Sequence, residues 1–333
     1  MKNQIRAQKI DTTQLKILRQ YIDPMRDVIG VKVGVTNSIE TFEVYNNRSN
    51  LRLLPNTSNL LRIYTNFRMI SFFFSINPSF FPGNDDDEIK GDTDIGGFGL
   101  GFTFFNWFAD LGYTRTKGYY LDNTDEHQPG WKPGDPYIQF PELVSNSYEA
   151  LIGYKVNKKF SQGAVTTQSA RQLKSAGTLL PRVVLRYYAL DDKSGAPVTQ
   201  KSNNFMVTVG NGYQHTFVHK QKWYVSAGFT PAVGFIHTKL FTRSPNGDTI
   251  TNSNHPVFQW DGKIGAGFNS SRFFGGIFFS AAAVYHNDRK VATLNINARG
   301  SYQAFIGYHF LAPKAIRSSY DKVYEKIYKK ILK

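Results

Sequence analysis

The chain has 333 residues, of which 15 % are aromatic with Phe at 27 and Tyr at 19, no cysteine, and a formal net charge of +15. The missing cysteines exclude a disulfide framework, a thiolate metal site and a cysteine nucleophile, and no run of 18 apolar residues offers a transmembrane helix. A mean hydropathy of −0.37 in so ring-rich a chain fits a closed barrel, in which half of each strand faces a polar lumen and half faces lipid.

Residues 1–28 read as a short polar helix with Leu15, Ile17, Leu18 and Tyr21 on one side, broken at Pro24. Lys2, Arg6 and Lys9 precede no continuous apolar stretch, so the export signal is expected outside this sequence. From Ile29 the period is two. Val31, Val33 and Val35 open the first strand, with Phe42, Val44 and Tyr45 in its continuation or partner. Leu61, Ile63, Thr65 and Phe67 alternate with Arg62, Tyr64 and Asn66, and a turn at Arg68 leads to Ile70, Phe72, Phe74 and Ile76, which predicts a hairpin. Residues 78–96 form an acidic loop, after which Phe98, Leu100, Phe102 and Phe104 resume. Their inward neighbours Gly99 and Gly101 mark a place where something bulky sits inside or the strand bends. Trp107, Ala109, Leu111 and Tyr113 then interleave with Asp110, Gly112, Thr114 and Thr116. The prolines of Gly118–Asn146, Pro129, Pro133, Pro136 and Pro141, predict a structured surface loop.

Tyr148, Ala150, Ile152 and Tyr154 restart the sheet against Glu149 and Lys155. Residues 160–181 show no clear period, and Val183, Leu185 and Tyr187 then face away from Arg186. Phe205, Val207, Val209 and Tyr213 follow, then a long strand from Trp223 to about Leu240. Phe258, Trp260, Ile264, Ala266 and Phe268 oppose Gln259, Asp261, Lys263, Gly265 and Gly267. Rows at Phe273–Tyr285, Ala292–Ile296 and Tyr302–Phe310 complete the sheet. The expected fold is all-β, a transmembrane outer-membrane antiparallel β-barrel of about 12–14 strands with short terminal helices. It divides into a polar, periplasmic N-terminal segment (1–28), the barrel (29–311) and a basic amphipathic C-terminal helix (312–333). In that helix Ile316, Tyr320, Val323, Tyr324, Ile327 and Ile331 share one face among many lysines, as in an interfacial helix. The connections 169–177 and 191–203 are both of medium length, which breaks the alternation of long loops and short turns and implies one misread strand.

Three strings resemble an outer-membrane β-barrel family of Bacteroidetes, domain of unknown function family 4421. They are Leu54-Pro55-Asn56-Thr57, Arg171-Gln172-Leu173-Lys174-Ser175-Ala176-Gly177, and Gly307-Tyr308-His309-Phe310 followed by Leu311-Ala312-Pro313-Lys314. The family pattern places Tyr and a basic residue ahead of the Pro-Asn pair, where this chain has Leu53 and Leu54. The resemblance implies location and fold and supplies no mechanism.

Strand phase assigns Arg62, Asp110, Glu149, Lys155, Arg186, Asp261 and Lys263 to the lumen, because a charge on the lipid face would cost roughly 2–4 kcal/mol near the midplane. The competing readings are cross-strand ion pairs filling a narrow bore, a polar channel or ligand cleft of basic bias, and a catalytic constellation. Asp85, Asp87, Asp92 and Asp94, with Asp86 and Glu88 between, offer oxygen ligands for a divalent cation such as Ca²⁺, against the blander reading of a solvated acidic loop. His127, His215, His219, His237, His255, His286 and His309 are scattered, and the four-residue spacing of His215 and His219 lies in a strand, where it builds no helical zinc pair. Tyr119, Tyr120 and Trp131 suggest a sugar- or lipid-contacting loop surface or packing within the loop. No catalytic residue, cofactor or dedicated metal is assigned.

The leading expectation is a non-enzymatic narrow pore or a scaffold or binding subunit. A lipid- or lipopolysaccharide-modifying enzyme with Asp122, Asp125, His127 and His286 at its rim, and a soluble β-rich binding protein, are the alternatives. Expected partners are outer-membrane lipid and lipopolysaccharide, divalent cations at the acidic loop, and a periplasmic or membrane protein. The positive charge is assigned to anionic lipid phosphates and not to nucleic acid.

Overall fold

The computed structural model describes residues 12–45, 50–56, 59–78, 80–81, 84, 86–285 and 293–331. Twelve antiparallel strands close a barrel: β1 (Val28–Tyr45), β2 (Leu60–Phe67), β3 (Ile70–Ile76), β4 (Asp94–Phe104), β5 (Trp107–Leu121), β6 (Gln139–Tyr154), β7 (Ala176–Asp192), β8 (Thr199–His219), β9 (Trp223–Arg243), β10 (Thr249–Asn269), β11 (Phe273–Tyr285) and β12 (Thr293–Leu311). Each pairs with the next, and β12 closes on β1 from Leu311 opposite Val28 to Thr293 opposite Tyr45. An even strand number returns both ends of the chain to one rim, called here the terminal rim. The helices are α1 (Thr12–Tyr21), α2 (Asp87–Lys90), α3 (Gln162–Val165) and α4 (Lys314–Ile331).

The period of two decides which side chains leave the water. On β8, Asn204, Met206, Thr208, Gln214 and Thr216 are buried inside, while Phe205, Val209, Tyr213 and Phe217 are exposed outside. Val233, Phe235, Ile264, Phe279 and Ile306 continue that exposed apolar surface around the barrel. Such a belt in water would cost about 25 cal/mol per Å², and exposed apolar side chains running all round a closed barrel are what hydrocarbon solvates. Aromatic pairs edge the belt. Trp107 packs on Tyr154 at 5.0 Å, Trp223 on Phe268 at 5.0 Å and Phe273 on Tyr308 at 4.8 Å near the terminal rim. Tyr113 with Tyr148 at 4.9 Å and Phe258 with Tyr285 at 6.2 Å lie toward the other rim, as amphipathic rings do at headgroup level.

Tight turns join strands at the terminal rim, with Arg68, Phe105, Lys220 and Gln221 at positive φ of 50–57° as short hairpin connections require. Residues 155–175 are the exception: they fold back toward the barrel. They answer the length conflict seen in the sequence, because no strand is misread there; 155–175 connects at the terminal rim and 193–198 at the opposite one. The surface loop expected at Gly118–Asn146 is shorter, since β5 runs to Leu121 and β6 starts at Gln139 with Pro141 inside it. A register shift between Lys117 and Tyr119 accompanies Gly118 at φ 91°, where a β-carbon would collide with the Asp92 carbonyl.

The wall is uneven. β2, β3 and β4 span 8, 7 and 11 residues, against 21 for each of β8, β9 and β10. Above the short strands, a further strand at Asn50–Leu54 pairs with β1 (Phe42 opposite Leu53) and with β5 (Leu53 opposite Leu121). The twelve-strand ring therefore narrows to ten: β1, the short strand, and β5 through β12. Inward apolar side chains fill the narrowed end, where Phe42, Leu53, Tyr119, Leu121, Tyr188 and Ile236 form one buried cluster. A second cluster, Phe160, Val165, Tyr224, Phe274, Phe278 and Phe305, occupies the terminal end.

Candidate functional site

Between the two apolar clusters lies a belt of charge. Arg182 meets Asp261 at 2.5 Å, and the Gln259 amide donates to the same carboxylate at 2.9 Å. Arg299 stands 3.5 Å from Glu149, and Arg186 Nε donates to Ser147 Oγ at 3.2 Å. Arg62 Nε donates to Ser75 Oγ at 2.6 Å, and its guanidinium lies 4.8 Å from the Phe73 ring centre. That ring occupies the space left by Gly99, so the bulky group admitted by the inward glycine comes from the neighbouring strand. Lys263 Nζ lies 4.6 Å from the Phe278 ring, and its charge is within Coulombic reach of Asp110. Gly112, two residues on from Asp110 and opposite Glu149 on β6, has open space where a β-carbon would sit.

Lys155 is placed differently from the other six. It lies past the end of β6, buried, and its Nζ donates to Phe160 O at 2.9 Å. Burial pushes its ammonium down to about 8, with Lys158 adding to the effect. It belongs to the segment 155–175, which plugs the terminal end. Phe160, Val165 and Gln168 there are at most 1 % exposed. The Ser161 side chain caps α3 by accepting from Ala164 N. The surrounding wall holds the plug by its backbone: Lys32 Nζ donates to Thr166 O at 3.2 Å and to Gln168 Oε1 at 3.0 Å. Asn66 donates to Thr167 O at 2.7 Å, Asn269 to Ala170 O at 3.2 Å, and His309 Nε2 lies 2.9 Å from Gln168 O. Leu173 N donates to Tyr21 O at 2.7 Å, tying the plug to the end of α1.

Lys32, Arg182 and Arg299 were missed in the sequence. Lys32 sits in phase between Val31 and Val33, and the alternation alone identifies it. Arg182 follows the aperiodic stretch. Arg299 shares the inward row of Ser301 and Gln303 opposite Tyr302, and the alternation identifies it as well.

At the other rim, Asp85 lies outside the described residues. Asp87, Asp92 and Asp94 line a cavity of about 230 Å³ together with Asn56, Asn77 and Asn84. Asn56 donates to Asp86 at 2.8 Å and Lys90 binds Asp86 at 2.5 Å. Burial acts to raise the Asp86 carboxyl, but Lys90 and Asn56 more than offset it and hold it below the usual range. Asp94 pairs with Arg115 at 3.2 Å. Among the described residues no three His, Asp or Glu side chains converge as metal ligands. Asp122 binds Arg52 at 2.6 Å and His127 Nε2 lies 3.0 Å from Asn50 O, so both fasten loop 122–138 to the short strand; His286 lies outside the described residues. Trp131 packs at a tilt against Tyr137 at 4.9 Å, and Tyr137 edge-on against Tyr120 at 5.0 Å, packing within the loop. On the terminal rim, α4 is seated by Arg317 on Asp27 at 3.5 Å, by an Arg68–Asp321 ion pair, and by Tyr320 edge-on to Phe67 at 5.4 Å.

Among solved structures, the outer membrane protease OmpT of Escherichia coli matches with a TM-score of 0.41 at 11 % identity, covering 86 % of this chain and 97 % of that one. The β domain of the Bordetella autotransporter BrkA matches at 0.39 and 11 %, covering 84 % and 99 %. The Pseudomonas putida toluene transporter TodX matches at 0.29 and 9 %, covering 85 % and 89 %. No curated protein matches. The model of a family described as a domain of unknown function (DUF4421) matches residues 9–310, nearly the whole chain, and the protein belongs to that family.

Proposed function

We propose that this chain is a sealed barrel of the bacterial outer membrane that works as a scaffold or binding subunit and does not conduct solutes by diffusion. The observation that carries this reading is the double closure of the bore: the apolar cluster around Phe42 and Tyr188 at the narrowed end, and the plug around Phe160 and Gln168 at the other. A conducting lumen needs a continuous polar path, and water is expelled from apolar constrictions. The ion pairs Arg182–Asp261 and Arg299–Glu149 cross-brace the wall. What such a barrel offers to partners lies at its rims: the projecting β8–β10 wall on one side, and on the other the exposed Lys314 and Lys322 of α4, turned toward anionic lipid headgroups.

The test is single-channel recording of the folded protein in planar bilayers, with a heat-modifiable gel shift to certify folding. The expected result is no steady current. Stable open-channel steps from the intact protein overturn the reading.

A further inference from the structure

The excess positive charge of the chain gathers at one rim. The connections at the terminal rim, residues 12–27, 68–69, 105–106, 155–175, 220–222, 270–272 and 312–322, hold fifteen Lys and Arg against three Asp. The remainder of α4 adds Lys326, Lys329 and Lys330 against Glu325. At the opposite rim the described residues of 50–59, 77–93, 122–138, 193–198 and 244–248 hold four Lys and Arg against nine Asp and Glu; Arg48, Asp85, Asp288, Arg289 and Lys290 lie outside the described residues. Strand ends there are paired, Arg115 with Asp94, Lys117 with Glu142 and Arg243 with Asp191. The three Asp of the terminal rim are taken by its half-buried arginines: Arg171 holds Asp23 at 3.2 Å, Arg317 holds Asp27 at 3.5 Å, and Arg68 holds Asp321. Four exposed cations stand at the circumference, just beyond apolar side chains at the edge of the belt that are 53–71 % exposed: Lys158 after Val156, Lys222 before Trp223, Arg272 before Phe273 and Lys314 after Leu311. Lys222 O accepts from Asn269 N at 2.8 Å, so the Lys222 and Arg272 turns adjoin beside the Trp223–Phe268 pair.

We propose that the terminal rim selects anionic phospholipid headgroups from the leaflet it faces. The position of the cations favours lipid over a soluble polyanion, because an ammonium or guanidinium one to three residues past the edge of the belt stands at phosphate depth. Each such cation opposite an anionic surface contributes roughly fivefold to binding. The acidic opposite rim offers no such face, so the selection belongs to one leaflet. The inference deepens the headgroup contact of Lys314 and Lys322, rests on the membrane reading of the belt, and does not depend on whether the bore conducts.

Two single-tryptophan forms of the full chain test this. One keeps Trp223 at the terminal rim. The other keeps Trp260, which stacks on the outward Phe229 at 6.1 Å and stands eight residues along β10 from Phe268, toward the opposite rim. Phe replaces the remaining tryptophans in each, and a gel shift certifies folding. Both are inserted into vesicles of mixed phosphatidylglycerol and phosphatidylcholine in which one lipid or the other carries brominated chains, and quenching gives the relative affinity of the two lipids at each ring. Phosphatidylglycerol is expected to be preferred by about fivefold or more at Trp223, less so as salt rises, and the two lipids to be near equal at Trp260. Lys222→Gln with Arg272→Gln, both on exposed turns, is expected to bring the Trp223 ratio toward one in a folded protein. Equal ratios at the two tryptophans, which a rim built for a soluble polyanion would give, overturn the proposal and leave the membrane reading intact. A Trp223 ratio unchanged in the folded charge variant does the same. No quenching of either ring by either brominated lipid overturns both.

Discussion

Phe160→Ala tests whether packing keeps the plug in place. The Phe160 ring is fully buried among Val165, Tyr224, Phe274, Phe278 and Phe305, and truncating a buried Phe to Ala costs about 3–5 kcal/mol in lost transfer energy and residual cavity. The ring belongs to the plug and its neighbours Tyr224, Phe274, Phe278 and Phe305 belong to the wall, so the loss falls on docking of residues 155–175 and not on strand pairing. The population of undocked plug therefore rises by roughly two to nearly four orders of magnitude, at 1.36 kcal/mol per tenfold. Local opening is read directly by amide hydrogen exchange. Amides of Ala164, Thr166 and Ser169 are expected to exchange faster by that factor, while those in β8–β10 keep their rates. Unchanged exchange in 155–175 with intact strands would falsify the assignment of Phe160 as the anchor. A uniform acceleration through all strands would also refute it, since the ring would then be stabilising the barrel as a whole.

Two further outcomes follow from the charges. Asp261→Ala leaves Arg182 without its 2.5 Å partner and is expected to destabilise by about 3–5 kcal/mol, whereas Arg182→Met with Asp261→Met is expected to be near neutral; urea titration of both in lipid micelles checks the pair, and equal losses would refute it. For Lys155, the folded ammonium titrates at about 8 against an ordinary 10.5, so between these values the unfolded chain holds more protons and stability rises with pH. Below pH 8 the full penalty is in place, and above 10.5 none is. Comparing the pH slope of the urea midpoint with that of Lys155→Met measures it, and identical slopes would discard the burial argument.

Most of the wall was legible because its code is local. Lipid outside and polar groups inside leave a two-residue rhythm, and the rings at Trp107, Tyr154, Trp223 and Phe268 announce where each strand crosses an interface. Arg68 marked its own turn. The plug was not legible for a corresponding reason: its stretch from Ser161 to Gln172 is small and polar, and it is held by backbone carbonyls accepting from Lys32, Asn66 and Asn269, residues distant in sequence whose side chains reveal no address. The narrowing was hidden as well. Leu51 and Leu53 alternate like any strand, and nothing local says that they bridge β1 to β5 over the top of three short neighbours. The irregularity between Ile296 and Arg299 did not hide Arg299, which shares the row of Ser301 and Gln303 opposite the outward Tyr302, Ala304 and Ile306, so phase alone gives its inward direction.

The unequal wall heights reach beyond the protein itself. Seven residues of β3, at about 3.4 Å each and tilted by about 40°, raise an apolar face of only about 18 Å, against the roughly 25 Å usual for such barrels. Acyl chains beside β2–β4 must shorten or splay to match it, while those beside β8–β10 need not. The surrounding bilayer is therefore pinched along one flank, and the molecule has a soft side in the plane of the membrane.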